Sequence, residues 1–115
     1  MPSKMHAIIH VTGGGLTKVS RFGPADLMYL KESPLPCPPL FALIQKHGSV
    51  SWKEMYQVFN MGQRLEVYLP ASEAARVIDA AAKFNIRGQI IGKVVKRGNS
   101  DPRVRVCHDT ENFDY

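Results

Sequence analysis

Apolar positions along this chain come in short bursts. Some alternate with polar residues and some recur every three to four, so the pattern predicts strands mixed with helices. Met5 to Val11 is an isoleucine-rich run between Lys4 and three glycines, and it reads as a buried strand. On such a strand His6, Ile8 and His10 share one face, and Ala7, Ile9 and Val11 the other. Gly13-Gly14-Gly15 is too loose to continue a strand or to sit inside a helix, so it marks a tight turn. Leu16 to Phe22 follows as a short helix ended by Gly23-Pro24, and Leu27 to Leu30 as a further strand candidate.

Ser33 to Pro39 holds four prolines in seven residues, which excludes both helix and central strand and predicts a stiff extended connection. Proline also suits a helix entrance. The expected helix runs from Pro39 to His47, with Leu40, Leu43 and Ile44 on one face and Gly48 as its stop. Ser51 and Glu54 form a capping box ahead of a helix whose stripe of Trp52, Met55, Tyr56 and Phe59 reads as core packing. Asn60-Met61-Gly62 ends that helix, and Leu65 to Leu69 alternates as a strand closed by Pro70. Ser72 to Phe84 is predicted as a helix capped by Ser72, with Val77, Ile78 and Ala81 as its apolar face. Ile86 to Lys96 reads as a strand, Gly98 to Pro102 as a hairpin turn and Arg103 to Cys107 as the returning strand. Residues 108–115 are expected to be a frayed polar tail. The sum is an α+β fold, a mixed and largely antiparallel sheet packed with about three helices.

At 115 residues and 44% apolar content, the chain suits one domain with one modest core. No apolar run approaches the roughly eighteen residues of a membrane span, and the N-terminus lacks a signal-peptide shape. Cys37 and Cys107 fit no metal spacing and read as free thiols of a reducing compartment, so a cytoplasmic location is expected. Five of the fifteen basic residues fall between Lys93 and Arg105, which raises nucleic-acid binding. There, however, Arg103-Val104-Arg105-Val106 alternates as a half-buried strand does, and no aromatic residue is interleaved for base stacking. Neither a nucleic-acid nor a membrane partner is expected.

The glycine run directly after a strand has two physical readings. It is a plain turn, or a loop whose N–H groups approach an anionic ligand closely. It lacks the ending of a P-loop and the spacing of a dinucleotide fingerprint. His10 stands at the strand end beside it, either as an acid, base or donor to a ligand or as a structural histidine satisfied by backbone. His6, His47 and His108 read as structural. No Cys/His constellation has the form of a zinc site.

His6-Ala7-Ile8-Ile9-His10-Val11-Thr12-Gly13-Gly14-Gly15-Leu16 resembles the His-x-Thr-Gly-Gly-Gly-Leu/Phe segment of the aminoimidazole ribonucleotide synthetase (phosphoribosylformylglycinamidine cyclo-ligase) family. Glu54-Met55-Tyr56-Gln57-Val58-Phe59-Asn60-Met61-Gly62 resembles that family's Glu-Met-Tyr-x-x-Phe-Asn-x-Gly. Pro38-Pro39-Leu40-Phe41, Ile44-Gln45 and Ile91-Gly92-Lys93-Val94 match it at compatible spacing, so the resemblance covers about residues 5 to 107. It departs after Gly62, where the family continues Val-Gly-Met and this chain has Gln63-Arg64-Leu65.

The resemblance implies the latter part of a C-terminal domain in an ATP-dependent ring closure of purine biosynthesis. It implies His10 as the catalytic residue, and Thr12, Gly13, Gly14, Gly15 and Asn60 as binding residues for a phosphorylated small-molecule substrate. ATP and Mg would be bound mainly by an N-terminal domain that this chain does not contain, and no metal ligand is expected here. An incomplete domain of this kind is expected to expose a sheet edge and an apolar patch, favouring that missing domain or a second copy of the chain as partner, a homo-dimer included. The other reading is a stand-alone, non-catalytic module that binds a phosphorylated ligand or a partner protein.

Overall fold

Among the described residues, periodicity and glycine placement give eleven elements, of which six are strands and three α-helices. In chain order they are β1 (Ala7–His10), a 3-10 helix (Gly15–Arg21), β2 (Leu27–Lys31), α1 (Pro39–Gly48), α2 (Trp52–Val58) and β3 (Leu65–Tyr68). A second 3-10 turn (Ala71–Glu73) then leads into α3 (Ala74–Ala82), followed by β4 (Lys93–Lys96), β5 (Val104–His108) and β6 (Glu111–Asp114). The computed structural model describes residues 4–115; Met1 to Ser3, part of the N-terminus expected to lack a signal peptide, lie outside the described residues.

β1 and β3 form a separate antiparallel ribbon, with Ala7 opposite Tyr68 and His10 opposite Leu65. The main sheet runs β4-β2-β5-β6, in which β2 is antiparallel to β4 and parallel to β5, and β6 is antiparallel to β5. Val104 and Val106 of β5 are fully buried while Arg103 and Arg105 are half-buried, as the alternation predicts. Together with Leu16, Val19, Tyr29, Met55, Tyr56 and Met61, and with Ile9 and Val11 of the ribbon strand and its extension, these valines make the core. Burying a side chain of this size contributes about 1.5–3 kcal/mol. The Ser51 hydroxyl accepts the Glu54 N–H at 3.2 Å and sets the start of α2, whose Met55 and Tyr56 face inward.

Among the described residues, one ion pair joins ribbon to sheet. Lys31 on β2 is 3% exposed and meets Glu66 on β3 at 2.7 Å, and it also donates to the Leu16 carbonyl at 2.6 Å. The Tyr68 hydroxyl donates to the other side of this cluster, to Glu66 Oε2 at 3.0 Å, and its ring sits edge-on against Tyr29. Burial lowers the Lys31 ammonium pKa, opposed by the Glu66 charge. The Tyr68 phenol is held above its ordinary range, first by burial and then by Glu66.

Several expectations from the pattern are corrected. α1 forms as expected, but Leu40 and Leu43 point to solvent and no residue of the helix is fully buried. Ser49, in the left-handed region at φ 53°, closes it. Ser72 lies within the 3-10 turn and does not cap α3, which starts at Ala74 and ends before Phe84. The strand expected over Ile86 to Lys96 begins only at Lys93. A β-carbon at Gly92 would overlap the Leu30 carbonyl, and the chain reaches that contact from an irregular 86–92 stretch. β4 and β5 do not form a hairpin either, because β2 lies between them. The 108–115 segment, expected to fray, includes β6: Arg105 grips Asp114 through two hydrogen bonds of 2.7 and 3.1 Å, and the Tyr115 hydroxyl donates to the Lys53 carbonyl.

Candidate functional site

The turn after β1 is built by three contacts. Gly15 N–H bonds the Thr12 carbonyl at 3.0 Å, and the Thr17 N–H and hydroxyl both bond the Gly14 carbonyl, at 3.1 and 2.7 Å. Gly14 and Gly15 take φ of 97° and 52°, a region that side chains other than glycine's rarely adopt. Gly15 has a second reason to be glycine: a β-carbon there would collide with the main-chain carbonyls of Tyr56 and Phe59 at the end of α2. Gly13 has neither reason. Its φ is ordinary and a β-carbon would meet nothing within 4 Å, so the space over it is open to something outside the chain.

The N–H groups of Thr12, Gly13 and Gly14 have no acceptor among the described residues. Two cations stand beside them. Lys18 Nζ donates to the His10 carbonyl and to Thr12 Oγ1, both at 2.8 Å, and the Arg21 guanidinium lies against Gly14. Lys18 and Arg21 are three apart on a 3-10 helix, whose three-residue turn stacks them on one side. That spacing, directly after the glycines, is the signal that the motif-based reading passed over. The three N–H groups and the two cations thus lie in one stretch of the chain. His10 is exposed beside them, on the outward face with His6 and Ile8.

The Phe59-Asn60-Met61-Gly62 turn is brought against this loop through Gly15. Asn60 shapes it from within: Oδ1 accepts the Gly62 N–H and the main-chain carbonyl the Gln63 N–H, both at 2.9 Å. Of the six positions singled out by the sequence, His10 ends β1, Thr12 and the glycines form the turn after it, and Asn60 lies in the adjoining turn.

Elsewhere the side chains are engaged in structure. His108 stacks on Trp52 at 4.5 Å and shares a 2.9 Å hydrogen bond between its Nδ1 and the Tyr56 hydroxyl, whose pKa burial, then Cys37 and Asp109, push up to about 12. Tyr56, His108 and both free cysteines line a cleft of about 360 Å³. Burial raises the Cys37 thiol, the reverse of what an activated nucleophile requires. Of the basic C-terminal residues, Arg103 donates to the Ser20 and Gly23 carbonyls at 2.9 and 3.1 Å and Arg105 is paired with Asp114, which fits the strand reading of this segment. No group of three or more His, Cys, Asp or Glu among the described residues is arranged to hold a metal ion. No described helix is long and apolar enough to cross a membrane.

Residues 2–105 match the family model described as AIR synthase related protein, C-terminal domain. Among curated proteins, the chain is 37% identical over 92 residues to a phosphoribosylformylglycinamidine cyclo-ligase of Methanocaldococcus jannaschii, covering 80% of this chain and 26% of that protein. It is 39% identical over 95 residues to the protein of that name in Methanosarcina barkeri, covering 83% and 26%, and 36% identical over 96 residues to that of Geobacter sulfurreducens, covering 80% and 27%. The chain thus spans about a quarter of the length of these relatives. With an α+β fold and a family match running from the first strand into β5, this chain belongs to the AIR synthase related protein family, in its C-terminal domain.

Proposed function

We propose that this domain supplies the anion-binding wall of a cyclo-ligase site in purine biosynthesis. The observation that carries the reading is the set of three acceptor-free N–H groups at Thr12, Gly13 and Gly14, flanked by Lys18 and Arg21 and bordered by His10. On this reading the reaction is the ATP-dependent closure of formylglycinamidine ribonucleotide to aminoimidazole ribonucleotide. ATP activates the formyl oxygen, an amidine nitrogen attacks the formyl carbon, and the activated oxygen leaves with phosphate. The loop amides and the two cations hold an anionic group of the substrate, and His10 orients the reacting end or moves a proton there. Asn60 keeps the second turn against the loop. ATP and its metal belong to the N-terminal portion that full-length relatives have in addition, so the chain alone is inactive.

The test is calorimetric titration of the chain with ATP and with the ribonucleotide, alone and with an added N-terminal portion of a relative. Ring closure should appear only in the mixture, and His10→Ala should then lower turnover about 10²–10⁴-fold without unfolding the domain. Unchanged turnover in that variant removes His10 from the reaction, and ATP hydrolysis by the chain alone contradicts the division of labour.

A second reading, a non-catalytic module that binds a phosphorylated ligand or a partner protein, is favoured by the exposed Leu40, Leu43, Phe84, Ile86 and Ile90. Ribonucleotide binding without turnover in any mixture selects it. For either reading, a missing domain or a second copy of the chain is the partner proposed for that surface, and the setting proposed is cytoplasmic.

A further inference from the structure

β4 and β6 are the outer strands of the main sheet, and each is paired on one side only. On β4, the bond from the Arg97 N–H to the Asp26 carbonyl fixes the phase of the ladder. Lys93 and Val95 therefore bond β2, and the N–H and carbonyl groups of Val94 and Lys96 point outward. On β6, the Tyr115 N–H bonds the Val104 carbonyl, so Glu111 and Phe113 bond β5 and the groups of Asn112 and Asp114 point outward. None of these outward groups has a partner among the described residues. An edge of this kind is a template for another strand.

The two edges carry opposite charge. β4 begins and ends with Lys93 and Lys96, β6 with Glu111 and Asp114, and all four are exposed. The register places Lys93 and Asp114 on one face of the sheet and Lys96 and Glu111 on the other. Each face thus has a cation at one edge and a carboxylate at the opposite edge. Within the chain Lys93 lies 3.4 Å from Glu32 and Asp114 is held by Arg105, whereas Lys96 and Glu111 have no ion-pair partner among the described residues. Joining like edges of two copies would set lysine against lysine or carboxylate against carboxylate, which is unfavourable. Joining unlike edges pairs opposite charges on both faces. β4 and β6 also run in the same direction, because β2 and β5 are parallel and each outer strand is antiparallel to its neighbour. A copy added with the same face up therefore continues the sheet through a parallel pair.

We propose that the occupant of each edge is a second copy of this chain, with β4 of one copy pairing with β6 of the next. The contact is heterologous: a pair of copies still offers one β4 edge and one β6 edge, so further copies add until a ring closes. It uses neither the glycine-rich loop nor the exposed leucines of α1, and stands apart from the reading of that loop.

The test is sedimentation equilibrium of the chain over a micromolar-to-millimolar series. Lys96→Glu and Glu111→Lys are run beside wild type, with folding checked by circular dichroism. Wild type should gain mass with concentration and lose it at roughly 1 M salt, where the screening length falls to about 3 Å. Each substitution puts like charges at both edges of one face and should weaken self-association about fivefold. An equimolar mixture of the two variants should regain association, because the β6 edge of Lys96→Glu meets an unaltered β4 edge on Glu111→Lys. A wild type that stays monomeric overturns the inference. So does association that neither salt nor either variant weakens, and so does a mixture no heavier than its components. Should a variant fail to fold, hydrogen exchange of wild type decides. The Val94, Lys96, Asn112 and Asp114 amides should slow together as concentration rises, and unchanged exchange at all four overturns the inference.

Discussion

The loop region from Val11 to Val19 and helix α3 invert the usual relation between local preference and burial. The first holds three glycines and no strong helix former in its turn, yet Val11, Leu16 and Val19 are buried in the core. α3 has five alanines in nine residues and an apolar stripe, and buries none of its residues fully. After it come Phe84, 77% exposed, and Ile86 and Ile90, also exposed. Local preference decided that α3 is a helix, but it did not supply a surface for the helix to pack on. The loop has almost no conformational preference of its own and is held in shape by what surrounds it: α2 carbonyls against Gly15, Lys18 across its mouth and Lys31 on the Leu16 carbonyl. Precision in this domain follows tertiary contact, and α3, with none of its residues fully buried, has less of it.

Substitutions can break that contrast, and the largest effect is expected at Gly15. Gly15→Ala combines a strained φ with overlap against two carbonyls that cannot move aside, together roughly 4–6 kcal/mol, enough to leave little folded protein in a thermal melt. Gly13→Ala, two residues away, should leave the melting temperature unchanged and weaken sugar-phosphate binding. Equal destabilisation by the two would show that the loop is a plain turn.

Lys31→Met strands Glu66 in the interior and should lower stability by about 3–5 kcal/mol in urea denaturation. Changing Glu66→Leu in the same chain should recover most of that loss, since an apolar pair needs no partner charges. Next, Met55→Ala in the packed half should cost about 2–5 kcal/mol, whereas Ile78→Ala on α3 should cost under about 1 kcal/mol. Similar losses at both sites would mean that α3 has a partner surface in solution.

The smallest effect is in alkali. The Tyr56 phenol, ordinarily ionising near 10.0, is raised to about 12 in the fold, first by burial. An acid whose folded pKa is raised contributes stability below its unfolded pKa, and that contribution is lost as pH rises through the window from 10.0 to about 12. Tyr56→Phe should flatten the decline in that window. Tyrosinate absorbance should show this phenol ionising later than an exposed one.

The sequence was most legible where a side-chain rule acts locally. The outward face of β1, the Ser51 cap, the extended proline strap and the half-buried β5 all follow from periodicity or from one hydrogen bond to a near neighbour. It was least legible where the partner is remote. Lys31, just past the strand expected over Leu27 to Leu30, gives no sign of its role until Glu66, thirty-five residues on, is placed against it. β6 is composed of Glu111, Asn112, Phe113 and Asp114, poor strand formers apart from Phe113, and exists because β5 offers an edge and Arg105 a partner for Asp114. For the site, the glycine motif and Asn60 were visible as residue types. Lys18 and Arg21 come beside it because the 3-10 turn that follows the glycines stacks them on one side.

The place of β2 in the middle of the main sheet has a consequence for how the domain is made. Leu27–Lys31 is synthesised well before its two neighbours, β4 from Lys93 and β5 from Val104. At roughly 5–20 residues per second, the ribosome leaves this hydrophobic strand without either neighbour for several seconds. Its long-range pairings are of the slow-forming kind, so the sheet closes only after β5 and β6 have emerged. Until then Met28 and Tyr29, buried in the finished domain, lack the strands that flank them.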